Sequence, residues 1–317
     1  MALPMDTINL KEQAIPPEAK LDMPAQDFKK NLNVKHRWQG WRALVARLIT
    51  FGGALSLTGY ATYQMVLIVS EGMVTALQWA MVSLFAITFV WIALAACAAV
   101  CGFVFSGKSQ FKKRASISGK KTVLLMPTYN EDPSETCAAL YSMGENIAAE
   151  GLGNLFEIFI ISDSNNPDVW VKETAAVQRL KDALAGKVNV WYRRRHDNKA
   201  KKAGNVHEFV SRWGARYDYM LVLDADSLLS VDTLKTLMEE MATDDNSGII
   251  QTLPCLYRGD TLFARLQQFA GTIYGPIVAR GVTAWQGDDG NYWGHNAIIR
   301  VKAFADTAGL PTLGGIK

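Results

Sequence analysis

Two long stretches without charge, close to the beginning of the chain, constrain its fold more than any other feature. Neither the stretch from Leu48 to Val69 nor the one from Met73 to Phe105 contains a charged residue. A helix that crosses the hydrocarbon core of a bilayer needs about 20 predominantly apolar residues. The sequence therefore predicts a transmembrane hairpin within residues 43–106, made of two helices over about 48–69 and 73–105.

Charged residues around the two stretches predict the orientation of this hairpin. The connection holds only Glu71, whereas basic residues lie outside both stretches: Lys29, Lys30, Lys35, Arg37, Arg42 and Arg47 before the first, and Lys108, Lys112, Lys113 and Arg114 after the second. Because basic flanks stay on the cytoplasmic side, both ends are expected there. The alternative is a pair of buried helices in a soluble all-α domain, although soluble core helices rarely run this long without charge.

Composition divides the rest of the chain into three parts. Residues 1–42 are polar and lack a clear period, which predicts a mostly disordered cytoplasmic arm. Residues 107–120 form a basic linker, and residues 121–317 form the remaining domain. The four cysteines, Cys97, Cys101, Cys137 and Cys255, do not suggest a disulfide framework, because thiols stay reduced in the cytoplasm.

Short apolar runs alternate with helical stretches after residue 121. The runs are 122–126, 156–161, 188–192 and 219–223, and a helical stretch follows each of them. Strands that alternate with helices indicate βαβ units and a largely parallel sheet. The predicted fold class is therefore α/β, with a mostly parallel sheet of Rossmann-like type behind the two-helix transmembrane hairpin.

Carboxylates follow two of these predicted strands. Asp224 and Asp226 come directly after the fourth run, and Asp163 follows the second. Ligands of a parallel sheet bind beyond the carboxyl ends of its strands, and crowded carboxylates at that edge suit Mg²⁺ or Mn²⁺. The alternative is that one aspartate caps the next helix and the other faces solvent.

A basic run, 193–202, follows the third strand and precedes a helix start. Cations and free N–H groups at a helix start suit a diphosphate, although Arg193, Arg194 and Arg195 by themselves are more typical of a solvated loop. Neither G-x-G-x-x-G nor a Walker A motif is present, which argues against a dinucleotide site or a P-loop ATPase. Sparse aromatic residues around the basic run argue against nucleic acid.

From about Thr122 onward the chain resembles the processive, membrane-bound family 2 glycosyltransferases, the cellulose-synthase-like group with a GT-A fold. The resemblance rests on a series of short motifs in a fixed order: 126–131, Asp163, 202–205, 224–226, 251–252, 294–296 and Arg300. Segments 162–166, 191–195 and 291–296 resemble, within that family, the glucosyltransferases that build osmoregulated periplasmic glucans. The resemblance implies UDP-glucose as donor, a growing β-glucan as acceptor, inversion at the anomeric carbon and Mg²⁺ or Mn²⁺ as cofactor.

The resemblance also implies a role for individual residues. Those expected to bind the donor nucleotide are Thr128, Asn130 and Glu131 on the uridine side, Asp163 on the base or ribose, Lys202 and Asn205 near the diphosphate, and Asp224. Asp226, with Asp224, is expected to ligate the cation, and Gly294, His295 and Asn296 are expected to line the acceptor end. The implied location is the bacterial inner membrane, with the N-terminus and the catalytic domain cytoplasmic.

The chain departs from the family at the catalytic base. The family places a third aspartate after the acceptor segment, but the only aspartate there is Asp306, in a segment that is typical of a helix. No base is assigned; it is expected beyond Lys317, and the GT-A domain is expected to be incomplete. Two alternatives remain: a membrane-tethered nucleotide-sugar-binding or regulatory protein, and a non-processive family 2 transferase acting on a lipid-phosphate acceptor. Segments 251–252 and 285–300 disfavour the second.

Overall fold

The computed structural model describes residues 15–27, 38–72, 75–105, 115–294 and 296–311. These residues form two compact units. Of the described residues, the sheet unit contains 15–27, 115–252, 292–294 and 296–311, and the helical unit contains 38–72, 75–105 and 253–291. Most of the predicted basic linker, much of the predicted arm and His295 lie outside the described residues.

A six-stranded sheet organises the sheet unit. Its strands are β1 Thr122–Thr128, β2 Phe156–Ser162, β3 Asn189–Arg194, β4 Tyr219–Val222, β5 Ile249–Gln251 and β6 Ala297–Arg300, in the order β3-β2-β1-β4-β6-β5. Strands β1 to β4 are parallel, while β6 is antiparallel to both β4 and β5. The predicted mostly parallel sheet is confirmed, and β5 and β6 are additions that the apolar runs did not indicate.

Ten α-helices accompany the strands in the described part of the chain. They are α1 Gly40–Arg47, α2 Gly53–Val69, α3 Ala76–Val104, α4 Pro133–Ala149, α5 Pro167–Ala183, α6 Lys201–Trp213, α7 Val231–Thr243, α8 Leu262–Ile273, α9 Gly275–Gln286 and α10 Val301–Thr307. Side chains of Asp132, Asn166 and Ser230 cap α4, α5 and α7 by accepting backbone N–H hydrogen bonds. No side chain caps α6, whose N-cap residue, Ala200, has a left-handed φ of 55°.

Helices cover both faces of the sheet. Apolar residues of α4, α5 and α7 pack with Leu124 and Ile158 on one face. Apolar residues of α6 and α10 pack with Leu125 and Phe159 on the other. Because both faces are buried, β2 consists entirely of buried residues, as expected for a parallel sheet between two helical layers.

Part of the N-terminal arm is ordered against α6, in contrast to the mostly disordered arm that the sequence predicted. Ala19 N–H donates to the carbonyl of Arg212 at 2.9 Å, and the Trp213 indole donates to the carbonyl of Pro16 at 2.9 Å. Leu21 and Met23 pack against the core on the same face. Composition did not predict this ordered segment because most of its residues are polar. Two apolar side chains and backbone hydrogen bonds are enough to hold it against the sheet unit.

Replacing Leu21 by alanine is expected to lower the free energy of unfolding of the sheet unit by about 1 kcal/mol, below the ~2–5 kcal/mol of fully buried leucines. Leu21 is partly buried and contacts the backbone region of Gly214, so the truncation removes apolar contacts. Thermal unfolding measures the effect. Asp22→Ala is the matched control because Asp22 is exposed, and equal midpoints for the two variants would contradict the contribution of this segment.

Two helices of the helical unit are long and apolar enough to cross a membrane. They are Gly40–Val69, of 30 residues, and Ala76–Val104, of 29 residues, and only 22% of the apolar window of each is buried. The first begins earlier than predicted and continues through a π-helical turn over Leu48–Gly52. The second begins at a capping box formed by Thr75 and Gln78. Such limited burial argues against the alternative of buried helices in a soluble core.

Helix α9 packs on α3 through small residues. A Cβ atom added to Gly281 would lie 1.9 Å from the carbonyl oxygen of Ala98, and one added to Gly102 would lie 2.0 Å from that of Ile277. The two backbones therefore approach closely, as in small-residue packing of membrane helices. The structure thus groups 253–291 with the long apolar helices, whereas the sequence had placed these residues within one domain over 121–317.

Candidate functional site

A cavity of about 710 Å³ opens where β1 and β4 end, and acidic and basic side chains share its wall. Strands β2 and β3 continue from β1 in one direction, while β4 lies on its other side. This reversal of strand order is the position at which open α/β sheets bind ligands. The walls come from residues 127–129, 131 and 132 at and after the end of β1, the start of α4, Asp163 after β2, the start of α6, and residues 224–226 after β4.

Asp224 and Asp226 lie in a tight turn after β4. Ser227 N–H donates to the carbonyl of Asp224 at 2.9 Å, and the Ser227 hydroxyl accepts from Asp224 N–H at 3.3 Å. Lys202 of α6 forms an ion pair with Asp224, with 2.5 Å between Nζ and Oδ1. Asp226 is exposed at the cavity wall. The turn therefore presents one carboxylate that is already paired and a second that faces the cavity.

The donor set at this turn fits a divalent cation only together with a ligand's oxygens. The described residues contain no group of three or more His, Cys, Asp or Glu side chains placed to hold a metal. Mg²⁺, however, keeps several waters and is often bound by one or two carboxylates plus substrate phosphates. Asp224 and Asp226 together would supply that number of carboxylates.

Asp163 is held by Arg195. Arg195 Nη2 donates to Asp163 Oδ2 at 2.9 Å, and its Nε donates to the other carboxylate oxygen. Only 10% of the Arg195 side chain and 4% of the Asp163 side chain are exposed. The hydrogen bond to Asp163 raises the pKa of Arg195 above its ordinary value. This bidentate pair fixes the carboxylate of Asp163 at the cavity wall.

The sequence predicted that the basic run suits a diphosphate, but Arg193 and Arg195 do not extend towards the cavity. They do not face solvent either, which was the alternative for these residues. Arg193 is buried and donates to the Asn205 side chain at 2.8 Å, and burial lowers its pKa. Arg194 lies over the Trp170 ring, 4.5 Å from its centroid. The run begins inside β3, whose alternating side chains turn into the fold. The lysines of the run that line the cavity are Lys201 and Lys202.

Asn205 is a structural residue as well as a cavity residue. It is 1% exposed, accepts from Arg193 and donates to the carbonyl of Ile161 at 3.0 Å. Its side chain therefore ties α6 to the end of β2. The sequence predicted a place for it near the diphosphate, and the structure puts it in the cavity wall with its amide already engaged.

The segment after β1 divides between the cavity and the neighbouring loop. Thr128 and Glu131 line the cavity, and in the described part of the chain the buried Thr128 hydroxyl has no hydrogen-bond partner. Asn130 instead accepts from the backbone N–H groups of Asn165 and Asn166 at 3.2 and 3.1 Å. Its left-handed φ of 60° turns it towards that loop. Tyr129, which sequence reasoning did not single out although it lies in the 126–131 motif, lines the cavity and is half exposed.

The predicted acceptor segment lies beside the turn that follows β4, and hydrogen bonds among β4, β5 and β6 hold it there. Asn296 N–H donates to the carbonyl of Val222, and its own carbonyl accepts from Thr252. Gln251 accepts from Trp293 N–H at 3.0 Å, which explains why Gln251 and Thr252 accompany the segment. Burial, with the charge of Asp224 as a second cause, raises the pKa of Tyr292 to about 12. Gly294, with φ of 101°, needs the freedom of glycine.

Comparison with known proteins gives one family match and a set of relatives. The sequence model described as Glycosyl transferase family 2 matches residues 123–307. The chain is 43% identical over 310 residues to a glucans biosynthesis glucosyltransferase H of Shewanella sp. (strain ANA-3), covering 97% of this chain and 42% of the relative. It is 45% identical over 271 residues to the protein of that name from Shewanella baltica (strain OS155), covering 85% and 37%. The chain thus spans less than half the length of these relatives.

Among solved structures, the chain is similar to a mannosyltransferase from Pyrobaculum calidifontis in complex with GDP-mannose and Mn²⁺. The sequence identity is 15%, the TM-score is 0.48, and the match covers 71% of this chain and 59% of that one.

Proposed function

Because this chain belongs to glycosyl transferase family 2, we propose that it is the donor-binding part of a membrane-bound, inverting glucosyltransferase that uses UDP-glucose to build a β-glucan backbone. The family match, with the strand order, also confirms the predicted GT-A-like α/β fold class. The relatives named glucans biosynthesis glucosyltransferase H support the choice of glucose and of a glucan product.

The observation that carries this proposal is the cavity at the ends of β1 and β4. Its volume of about 710 Å³ lies within the ~300–1,000 Å³ typical of small-molecule sites. The carboxylates of Asp163, Asp224 and Asp226 line it together with Lys201 and Lys202 at the start of α6. A nucleotide sugar combines a neutral base and sugar with a diphosphate, and a cavity lined by polar, acidic and basic groups suits such a ligand.

Lys202 is the residue expected to change partner on binding. In the structure it neutralises Asp224 at 2.5 Å, and both side chains are partly exposed, so this pair contributes little to stability. A diphosphate is a stronger partner for an ammonium group than one carboxylate. The start of α6, which no side chain caps, adds backbone N–H groups of the kind that bind phosphate. Lys202 would thus move to the phosphates and leave Asp224 free.

A divalent cation, Mg²⁺ or Mn²⁺, would be held by Asp226 and the released Asp224 together with phosphate oxygens. When bound, it would supply positive charge that stabilises the departing UDP. Asp163, fixed by Arg195, would contact the base or ribose with Thr128 and Glu131. Tyr129 offers an aromatic surface to the uracil.

Transfer would proceed by attack of an acceptor hydroxyl on the anomeric carbon, opposite the bond to UDP. The new glycosidic bond forms as the bond to the diphosphate breaks, and the hydroxyl proton passes to a carboxylate base. The 292–296 segment, tied to β4 through Asn296, would line the acceptor side. Asp306 lies in α10 and outside the cavity wall, so we assign no base within the described residues.

We propose that the helices Gly40–Val69 and Ala76–Val104 anchor the protein in a bacterial inner membrane, with both ends cytoplasmic. Their length and composition suit a bilayer, and the basic flanks set the orientation. The proposed partners are the lipid bilayer, UDP-glucose and the growing glucan, and no nucleic acid.

Calorimetric titration of the purified chain with UDP tests the donor site. We expect UDP to bind in the presence of Mn²⁺ or Mg²⁺, and to bind at least about tenfold more weakly after chelation, a difference of ~1.4 kcal/mol. GDP is the control nucleotide and is expected to bind more weakly than UDP. Absence of UDP binding with either metal would remove the donor-site proposal.

A second candidate is a membrane-tethered protein that binds a nucleotide sugar without transferring it. The Lys202–Asp224 pair favours it, because this contact occupies one of the two carboxylates of the turn. Release of UDP from UDP-glucose, measured on the purified protein, separates the two candidates. A non-processive transferase acting on a lipid phosphate would release UDP but would not make polymer.

A further inference from the structure

Glu173 of α5 is a buried carboxylate behind the wall of the cavity at the ends of β1 and β4. It is 3% exposed, and it lines a small internal void together with Thr128 and Glu131. Thr128 and Glu131 also line the cavity itself, whereas Glu173 is not part of its wall. Glu173 therefore lies one layer behind residues that are proposed to meet the nucleoside, and it does not touch a ligand in the cavity.

One oxygen of this carboxylate holds a serine hydroxyl. Ser164 is fully buried, and its hydroxyl donates to Glu173 Oε2 at 2.8 Å and accepts from Asn130 N–H at 3.0 Å. A backbone N–H can only donate and an ionised carboxylate can only accept, so the direction of both hydrogen bonds is fixed. The series from Glu173 through Ser164 to Asn130 therefore ties α5 to the segment that follows β1.

Other hydrogen bonds between the two segments lie nearer to the surface. The side-chain oxygen of Asn130 accepts from the backbone N–H groups of Asn165 and Asn166, which are exposed residues. The bond from Ser164 to Glu173 is enclosed instead, and a hydrogen bond is electrostatically stronger in the interior than in water. Asn130 also has a left-handed φ of 60°, which is uncommon outside glycine and is kept where surrounding contacts hold it.

The second oxygen of the carboxylate gives no comparable support to the fold. Glu173 Oε1 is buried and accepts no hydrogen bond of normal geometry in the described part of the chain. Burial, with the negative charge of Glu173 as a second cause, raises the pKa of the neighbouring Cys137 to about 11. A buried polar group without a partner costs free energy, so an apolar residue would suit position 173 better if stability were its sole purpose.

We propose that Glu173 is a positioning residue for the nucleoside half of the donor site. Through Ser164 it holds residues 128–131 in the conformation that meets the base and the ribose, because groups that bind a ligand are kept in place by the residues behind them. This inference deepens the proposed function and rests on it. Lys201 and Lys202 belong to α6 and lie outside this series of hydrogen bonds, so the diphosphate half should not depend on Glu173.

Calorimetric titration of the full 317-residue chain with UDP and with pyrophosphate, each in the presence of Mg²⁺, tests this role. Pyrophosphate is the probe that lacks a nucleoside. Glu173→Leu removes the acceptor, Ser164→Ala interrupts the same series by a smaller change, and Glu173→Gln keeps a carbonyl oxygen for Ser164. Glu157→Leu is the matched control, because it removes another buried carboxylate near the opposite end of β2.

We expect Glu173→Leu and Ser164→Ala each to weaken UDP binding by about tenfold, as the loss of a buried hydrogen-bond partner typically does, and to leave pyrophosphate binding unchanged. Glu173→Gln should bind UDP like the original chain. Combining Glu173→Leu with Ser164→Ala should cost no more than either change alone, because both interrupt one coupled series. Glu157→Leu should alter neither affinity.

Equal weakening of UDP and pyrophosphate binding would give Glu173 a general structural role and overturn the proposal. Unchanged UDP affinity in Ser164→Ala would overturn it too, and this variant supplies the answer if Glu173→Leu does not fold. A Glu173→Gln chain as weak as Glu173→Leu would show that the acceptor oxygen is not what matters. Failure of the original chain to bind UDP removes the proposed donor site, and that result is seen before any variant is compared.

Discussion

Asp226→Ala is expected to lower the affinity for UDP in the presence of Mn²⁺ by about 100-fold, the largest change expected for any single residue at the site. Loss of a group that merely supports a metal ligand typically costs ~10–100-fold, and Asp226 is proposed to be a ligand itself. Asp224, which pairs with Lys202 at 2.5 Å without ligand, is proposed to hold the same cation once UDP is bound, so it cannot also replace the missing carboxylate. Calorimetric titration with and without metal measures the change.

The loss should be confined to the metal-dependent part of binding. After chelation, we expect the variant and the original chain to bind UDP equally weakly, because Asp226 then has no cation to hold. Asp232→Ala is the matched control: it removes an exposed aspartate six positions along the chain and should leave the affinity unchanged. An Asp226→Ala variant that keeps its metal-dependent affinity would show that the turn after β4 holds no cation.

Arg195→Met is expected to lower the free energy of unfolding by about 3–5 kcal/mol, the largest stability effect that we expect from one substitution. It removes the bidentate partner of Asp163, whose side chain is only 4% exposed, and a buried charge left without a partner is strongly destabilising. Thermal unfolding should shift by roughly 2–4 °C per kcal/mol for a unit of this size. Lys120→Met is the control, because the partly exposed Lys120–Asp218 pair contributes about 0–1 kcal/mol.

A double variant separates stability from binding. Asp163→Leu with Arg195→Met replaces both charges by apolar groups and is expected to recover most of the lost stability. Its affinity for UDP should remain low, since Asp163 is proposed to contact the nucleotide. If the double variant is as unstable as Arg195→Met, the cost arises from the loss of arginine packing and not from the unpaired carboxylate. If it binds UDP normally, Asp163 is only a structural residue.

Sequence reasoning predicted that the acidic residues of the candidate site lie near one another because they come directly after strands. The apolar runs that became β1, β2 and β4 ended close to where predicted, and parallel strands bring their carboxyl ends to one edge whatever lies between them. The prediction was wrong for Arg193 and Arg195, which the structure turns into the fold. A run of basic residues gives no indication of which members face a cavity, because that depends on strand register against β2.

What the sequence by itself determined is what depends on neighbours along the chain: the long uncharged helices, the alternation of strands and helices, and the strand-end aspartates. Only the tertiary structure decided which groups meet across distant segments. It paired Asp163 with Arg195, placed Lys202 on Asp224, held residues 15–27 against α6 and grouped 253–291 with the apolar helices. The physical reason is that periodicity and hydropathy report local geometry and burial. Ion pairs and close backbone contacts, in contrast, require two surfaces whose meeting is fixed only when the whole core has packed.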